Sequence, residues 1–156
     1  MSNQFELTEA TVSWIDNKEA ILDLAVPLSD LIVFGEYQQV DRHINEVYFQ
    51  SEPHEVTRLP KLCSFGKDMS FNEVKDFFSS QDIRFATLRE LLFLGSLLKA
   101  LHRTYVIVIP GTTRSFPHLE GIYTPVLSIS PHERIMRLDA PKDVFKKGTC
   151  FAVIEM

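Results

Sequence analysis

The fold turns on residues 69–109, which run Met69-Ser-Phe-Asn-Glu-Val-Lys-Asp-Phe-Phe78, a short polar break, Ala86-Thr-Leu-Arg-Glu-Leu-Leu-Phe-Leu94, and later Tyr105-Val-Ile-Val-Ile109. Two helix starts of one kind stand in this stretch: Ser70 precedes Glu73 by three residues, and Thr87 precedes Glu90 by three. In such a pair the hydroxyl accepts from the backbone N–H of the third helical residue, and the glutamate accepts from the N–H of the cap. Each glutamate also sits where the helix dipole favours negative charge. The first helix, over 70–79, gathers Phe71, Val74, Phe77 and Phe78 on one stripe, with Lys75 and Asp76 opposite. The second, over 87–101, carries leucines and Phe93 around most of its circumference. A helix that is apolar nearly all round must be covered on several sides. The strand over 104–109 follows, and Pro110-Gly111 stops it.

Downstream of this helix–helix–strand unit, 122–129 and 134–138 read as two strands around Ser130-Pro131-His132-Glu133. Residues 149–154 read as a last strand that pairs with the central one. Upstream, 11–15 and 19–26 flank Asp16-Asn17-Lys18, a turn sequence, and predict an N-terminal β-hairpin ended by Pro27. Residues 27–50 leave alternatives open. Leu31-Ile-Val-Phe34 suits either a buried strand or a helix capped at Ser29-Asp30, while the spacing of Tyr37, Val40, Ile44, Val47 and Tyr48 favours a helix over 36–48. Residues 51–68 read as a connection. The expected fold class is α+β: two short helices packed on a mostly antiparallel sheet, preceded by an N-terminal β-hairpin lobe. One domain is expected, with lobes of about 1–66 and 67–156.

Twelve phenylalanines and a 45% hydrophobic share supply an ample core and argue against disorder. The net charge of −5 is uneven. Residues 1–66 hold 11 acidic against 4 basic side chains, and 67–156 hold 10 against 12. Neither part has the dense basic patch of a nucleic-acid binder, so no nucleic-acid partner is expected. The apolar runs are too short to span a bilayer, so no membrane partner is expected either. The first residues lack a basic region followed by an apolar run, which makes a cytoplasmic protein with Cys63 and Cys150 as free thiols the expectation.

Candidate chemistry is sparse. The Gly111–Gly121 loop places Thr112, Thr113, Arg114, His118 and Glu120 between two strands, and these are the candidate ligand-binding residues. Backbone N–H groups at its start and the Arg114 guanidinium would suit an anion. The phosphate-loop spacing is absent, and a solvated hairpin loop has the same composition. Cys63 would be a nucleophile only with a histidine folded against it, and a small buried side chain is the plainer role. The five histidines form no zinc motif. Glu46, Glu52 and Glu55 near His43 and His54 read as a solvated charge cluster before a metal site. No catalytic residue, metal or cofactor is assigned. The leucine-rich helix also suggests a homodimer, with Leu94 and Leu98 one turn apart as its contacts.

The segments Ser70–Glu73, Ala86–Leu92, Ile107–Gly111 and Phe151–Ile154 carry a resemblance to a set of small uncharacterised bacterial proteins. In those, a Ser/Thr-Phe-x-Glu helix, an Ala-Thr-Leu-x-Glu-Leu-Leu helix, a strand ending in Gly and a closing strand follow in that order. This chain departs from them at Asp82 and Phe85, where Gly and Pro would stand. The resemblance covers residues 69–156. It implies a fold and a bacterial or phage source, with no activity attached. The functional expectation is a non-catalytic binding or assembly module, oligomeric and with an unknown protein partner. The alternative is a small hydrolase or transferase using the 111–121 loop. A third reading is a regulatory subunit whose acidic N-terminal half docks on a basic partner.

Overall fold

The structure is a computed structural model. It describes residues 12–13, 21–23, 27–45, 49, 56–58, 60–97, 105–110, 114–115, 121–130 and 132–156. The elements in chain order are β1 (Val12–Ser13), β2 (Ile21–Asp23), α1 (Leu28–Gly35), β3 (Gln39–Val40), β4 (Val56–Arg58), β5 (Lys61–Ser64), β6 (Met69–Ser70), α2 (Phe71–Ser80), β7 (Ile83–Phe85) and α3 (Leu88–Leu97). They continue with β8 (Tyr105–Val108), β9 (Arg114–Ser115), β10 (Ile122–Ile129), β11 (Arg134–Asp139), β12 (Val144–Phe145) and β13 (Cys150–Glu155).

The chain is α+β and rich in strands. Among the described residues, seven strands form a continuous path, β1-β5-β13-β8-β10-β11-β3, with β7 beside β13 and β9 beside β10. The sheet is mixed. β13–β8 and β11–β3 are parallel, and the other pairs are antiparallel. The central strand therefore has β13 on one side and β10 on the other, as its apolar run and that of 149–154 predict.

Both glutamate caps form. At α2 the Glu73 N–H donates to Ser70 Oγ at 3.1 Å, and the Ser70 N–H donates to Glu73 Oε1 at 3.0 Å. The bond from the Ser70 backbone, with help from the Ser70 side chain, holds the Glu73 carboxyl below its ordinary pKa. At α3 the Thr87 N–H donates to Glu90 Oε1 at 2.8 Å, and the Glu90 N–H donates to Thr87 Oγ1 at 3.3 Å. Glu90 is fully buried, and Arg84 of β7 closes on it through two bonds of 2.8 and 2.9 Å. The buried charge is thus paired and hydrogen-bonded, the condition under which burial of a carboxylate is tolerated.

Three expectations are corrected. The N-terminal hairpin does not form among the described residues, because Val12–Ser13 pairs with Leu62–Cys63 and Ile21–Asp23 pairs with Val56–Arg58. The described residues hold three helices, not two. The additional one is α1, which begins after Pro27 and buries Leu28, Leu31 and Gly35 at helical spacing while Val33 and Phe34 face outward. No helix runs over 36–48 in its described part. Glu36 turns left-handed at φ 53° and ends α1, Gln39–Val40 pairs with Ile135–Met136, and the Asp41 carboxylate accepts the His43 N–H in a turn. Residues on both sides of position 66 share one core: Leu28, Leu31, Ile44 and Leu62 lie in the same cluster as Leu91, Ile107 and Ile154.

The sheet has two faces because side chains alternate along each strand. On one face Ile107, Ile109, Leu127, Ile129, Met136 and Ala152 are buried beneath Leu88, Leu91, Leu92 and Leu94 of α3 and Leu28 and Leu31 of α1. On the other, α2 sets Val74, Phe77 and Phe78 with Cys63, Phe65, Phe151 and Val153, next to Phe145. Phe65 meets Phe77 edge-on at 5.5 Å, and Phe145 meets Phe151 at 5.1 Å. This second cover stops short of the β10–β11 half of the sheet.

Candidate functional site

The uncovered half of the second face forms a cavity of about 440 Å³, within the range of about 300–1,000 Å³ usual for small-molecule sites. Its floor is built by strand alternation. β8 contributes Val106 and Val108, β10 contributes Ile122, Thr124 and Val126, and β11 contributes Arg137 and Asp139. The registers Val126↔Val108 and Val126↔Arg137 bring these side chains to one side.

The wall is the chain between β11 and β13. β12 pairs with β6, placing Val144 opposite Ser70 and Phe145 opposite Met69, and the Phe71 N–H donates to the Asp143 carbonyl at 2.9 Å. That tie holds the 141–146 segment beside the start of α2 and puts Phe71, Val144 and Phe145 against the cavity. Val106, Ile122 and Val144 are 38%, 51% and 53% exposed, so the cavity presents apolar surface to water.

The polar groups divide by role. Arg137 Nε donates to both Asp139 oxygens, at 3.0 and 3.1 Å, so these two charges neutralise each other at the β11 side. Lys142 and Lys146 stand exposed on the wall, and neither has a carboxylate partner among the described residues. The rim is therefore locally cationic on a chain of net charge −5. Among the described residues lining the cavity there is no histidine or cysteine. No group of three or more His, Cys, Asp or Glu side chains able to hold a metal occurs among the described residues.

The predicted site residues fall as follows. Arg114 opens β9 with its backbone opposite Tyr123 of β10, next to Ile122 on the cavity floor. Thr112, Thr113, His118 and Glu120 lie outside the described residues, as does Leu98. Leu94 is fully buried in the first core, against the sheet, and offers no surface to a partner. Cys63 is buried among phenylalanines, and burial, with a smaller push from Cys150, raises its thiol to about 12. It stays protonated at neutral pH and is no nucleophile. The two thiols are free and belong to the cores on opposite faces of the sheet. His54, Glu46, Glu52 and Glu55 also lie outside the described residues.

Arg137, Asp139, Lys142 and Lys146 were not anticipated from sequence. A signal did exist: β8 is apolar at every position, which suits a strand covered on both faces, yet only three helices among the described residues serve the two faces. No helix among the described residues is long and apolar enough to cross a membrane. No protein-family model, curated protein or solved structure matches the chain.

Proposed function

We propose that the protein is a non-catalytic binding module that holds an apolar ligand in the cavity between β8, β10 and the 141–146 segment. The observation that carries this reading is the exposure of Val106 and Ile122 on the floor of a 440 Å³ concavity, where water-facing strand positions would ordinarily be polar. The four charged groups there, a paired Arg137 and Asp139 on the β11 side of the floor and two lysines on the wall, include no nucleophile–base pair, which favours holding over turnover. A bacterial or phage setting is part of the same proposal and rests on the sequence pattern of residues 69–156 alone. The assembly role extends this reading: a module of this kind brings its ligand to a protein partner.

Titration with a neutral apolar dye such as Nile red tests it. Emission should rise and shift to the blue on wild-type protein, and Val106→Asp should abolish the change while leaving the melting temperature close to wild type, since Val106 is partly exposed. An unchanged signal in Val106→Asp would place dye binding elsewhere and defeat the reading.

A further inference from the structure

We infer that the cavity's ligand is a linear amphiphile with a single carboxylate head, the head lying against Lys142 and Lys146. This rests on the binding reading above and adds the ligand's chemical class. Three observations carry it. The floor sets Val108 opposite Val126, with Val106 two residues along β8 and Ile122 beyond Thr124 on β10, an apolar surface two strands wide broken by one threonine. Asp139, the one carboxylate among the described lining residues, is already engaged by Arg137, so that pair neither attracts nor repels an incoming charge strongly. Lys142 and Lys146 then leave a net positive rim along one wall only. A cationic edge beside an apolar floor complements a molecule with a long apolar part and one terminal negative charge. It does not complement a zwitterion or a cation. The one guanidinium among the described lining residues is held through its Nε by Asp139, so the two lysines are the cations that meet the head.

The probes are decanoate and decanol, titrated into the full chain carrying labelled valine and isoleucine methyl groups and followed by NMR. Decanoate should shift the methyls of Val106, Ile122 and Val126. The Lys142→Gln/Lys146→Gln double variant should weaken decanoate roughly fivefold, the effect of losing two exposed charge contacts, and leave decanol unchanged. Lys75→Gln, on the exposed side of α2, is the control and should change neither. Added salt should weaken decanoate in the wild type and not in the double variant.

If the double variant weakens both probes equally, or neither, the carboxylate assignment is overturned while the apolar binding reading stands. If neither probe shifts the cavity methyls, both fail. If anionic vesicles shift them and free decanoate does not, the ligand is a membrane surface and the assignment to a free amphiphile is wrong.

Discussion

The guanidinium carbon of Arg134 sits 5.3 Å from the centre of the Tyr37 ring, over its face, and this stack ties α1 and α3 to the sheet. Arg134 Nε donates to the Gly35 carbonyl at 2.9 Å, and its terminal nitrogen donates to the Gly95 carbonyl. The Tyr37 hydroxyl donates to the Leu92 carbonyl at 3.1 Å. Burial raises the phenol above its ordinary pKa against the opposing pull of Arg134, so it remains a donor.

Gly95 should resist the substitution that usually helps a helix. Replacing a helical glycine by alanine ordinarily adds about 1 kcal/mol. Here a Cβ would run into the Tyr37 hydroxyl and lie 3.0 Å from Leu127 Cδ2. The ring cannot retreat, because Gly35 and Arg134 hold its other sides. Gly95→Ala should destabilise by about 1–3 kcal/mol. In a Tyr37→Phe background, where the nearest atom is gone, the loss should shrink. Denaturant melts of the four proteins decide it, and equal losses in both backgrounds would show that Tyr37 is not the obstacle.

Glu90 should matter more than the threonine it pairs with. Thr87→Ala removes one cap bond, worth about 1 kcal/mol. Glu90→Ala removes the acceptor of the Thr87 N–H and both Arg84 contacts from a buried site, a loss of about 2–4 kcal/mol. Because the two residues share bonds, the double variant should lose less than the sum of the two. Strict additivity in urea melts would contradict the reciprocal cap.

The Glu73 cap should make stability fall with acid in a defined direction. Its folded pKa is lowered, chiefly by the bond from the Ser70 backbone. Its contribution is therefore full above the ordinary glutamate range and is lost as pH falls through the depressed folded value. The difference in melting temperature between wild type and Glu73→Gln should be present at pH 7 and vanish toward pH 2. A difference that grows with acid would have the wrong sign.

Cys63 should be inert in the native protein. With its thiol raised to about 12 by burial, a disulfide reagent at pH 8 should label it only after the sheet opens. Labelling should be complete in denaturant, and the native rate should track unfolding. Fast native labelling at neutral pH would mean that Cys63 of β5 is not covered by the α2 side chains.

What could be read from sequence was local. Ser70, Glu73, Thr87 and Glu90 specify their caps within four residues. β10 matches the expected 122–129, and β11 extends the expected 134–138 by one residue. What could not be read depended on distant partners. The segments at 11–15 and 19–26 have hairpin patterning, but alternation sets only which face is buried, and strands near residues 56–64 supplied the pairing. Tyr37, Val40 and Ile44 keep helical spacing for three unrelated reasons: a stack on Arg134, a pairing with β11 and a turn made by Asp41. A helix apolar all round suggests spare surface and so a dimer contact at Leu94, whereas that surface is covered by α1, one of the two alternatives that residues 31–34 leave open. The cavity depends on where α2 stops across the sheet, which the β6–β12 pairing and the phenylalanine cluster fix.

β13 lies later in the chain than each strand it joins, yet it stands between β5 and β8 and also carries β7. During synthesis, therefore, the two sides of the sheet emerge with no strand between them. Cys63 and Val108 wait with open backbone edges until residues 150–155 leave the ribosome. Such late, long-range closure makes folding slow and leaves strand edges available to neighbouring nascent chains. A ribosome-stalled chain lacking β13 should depend on chaperones in a way the finished chain does not.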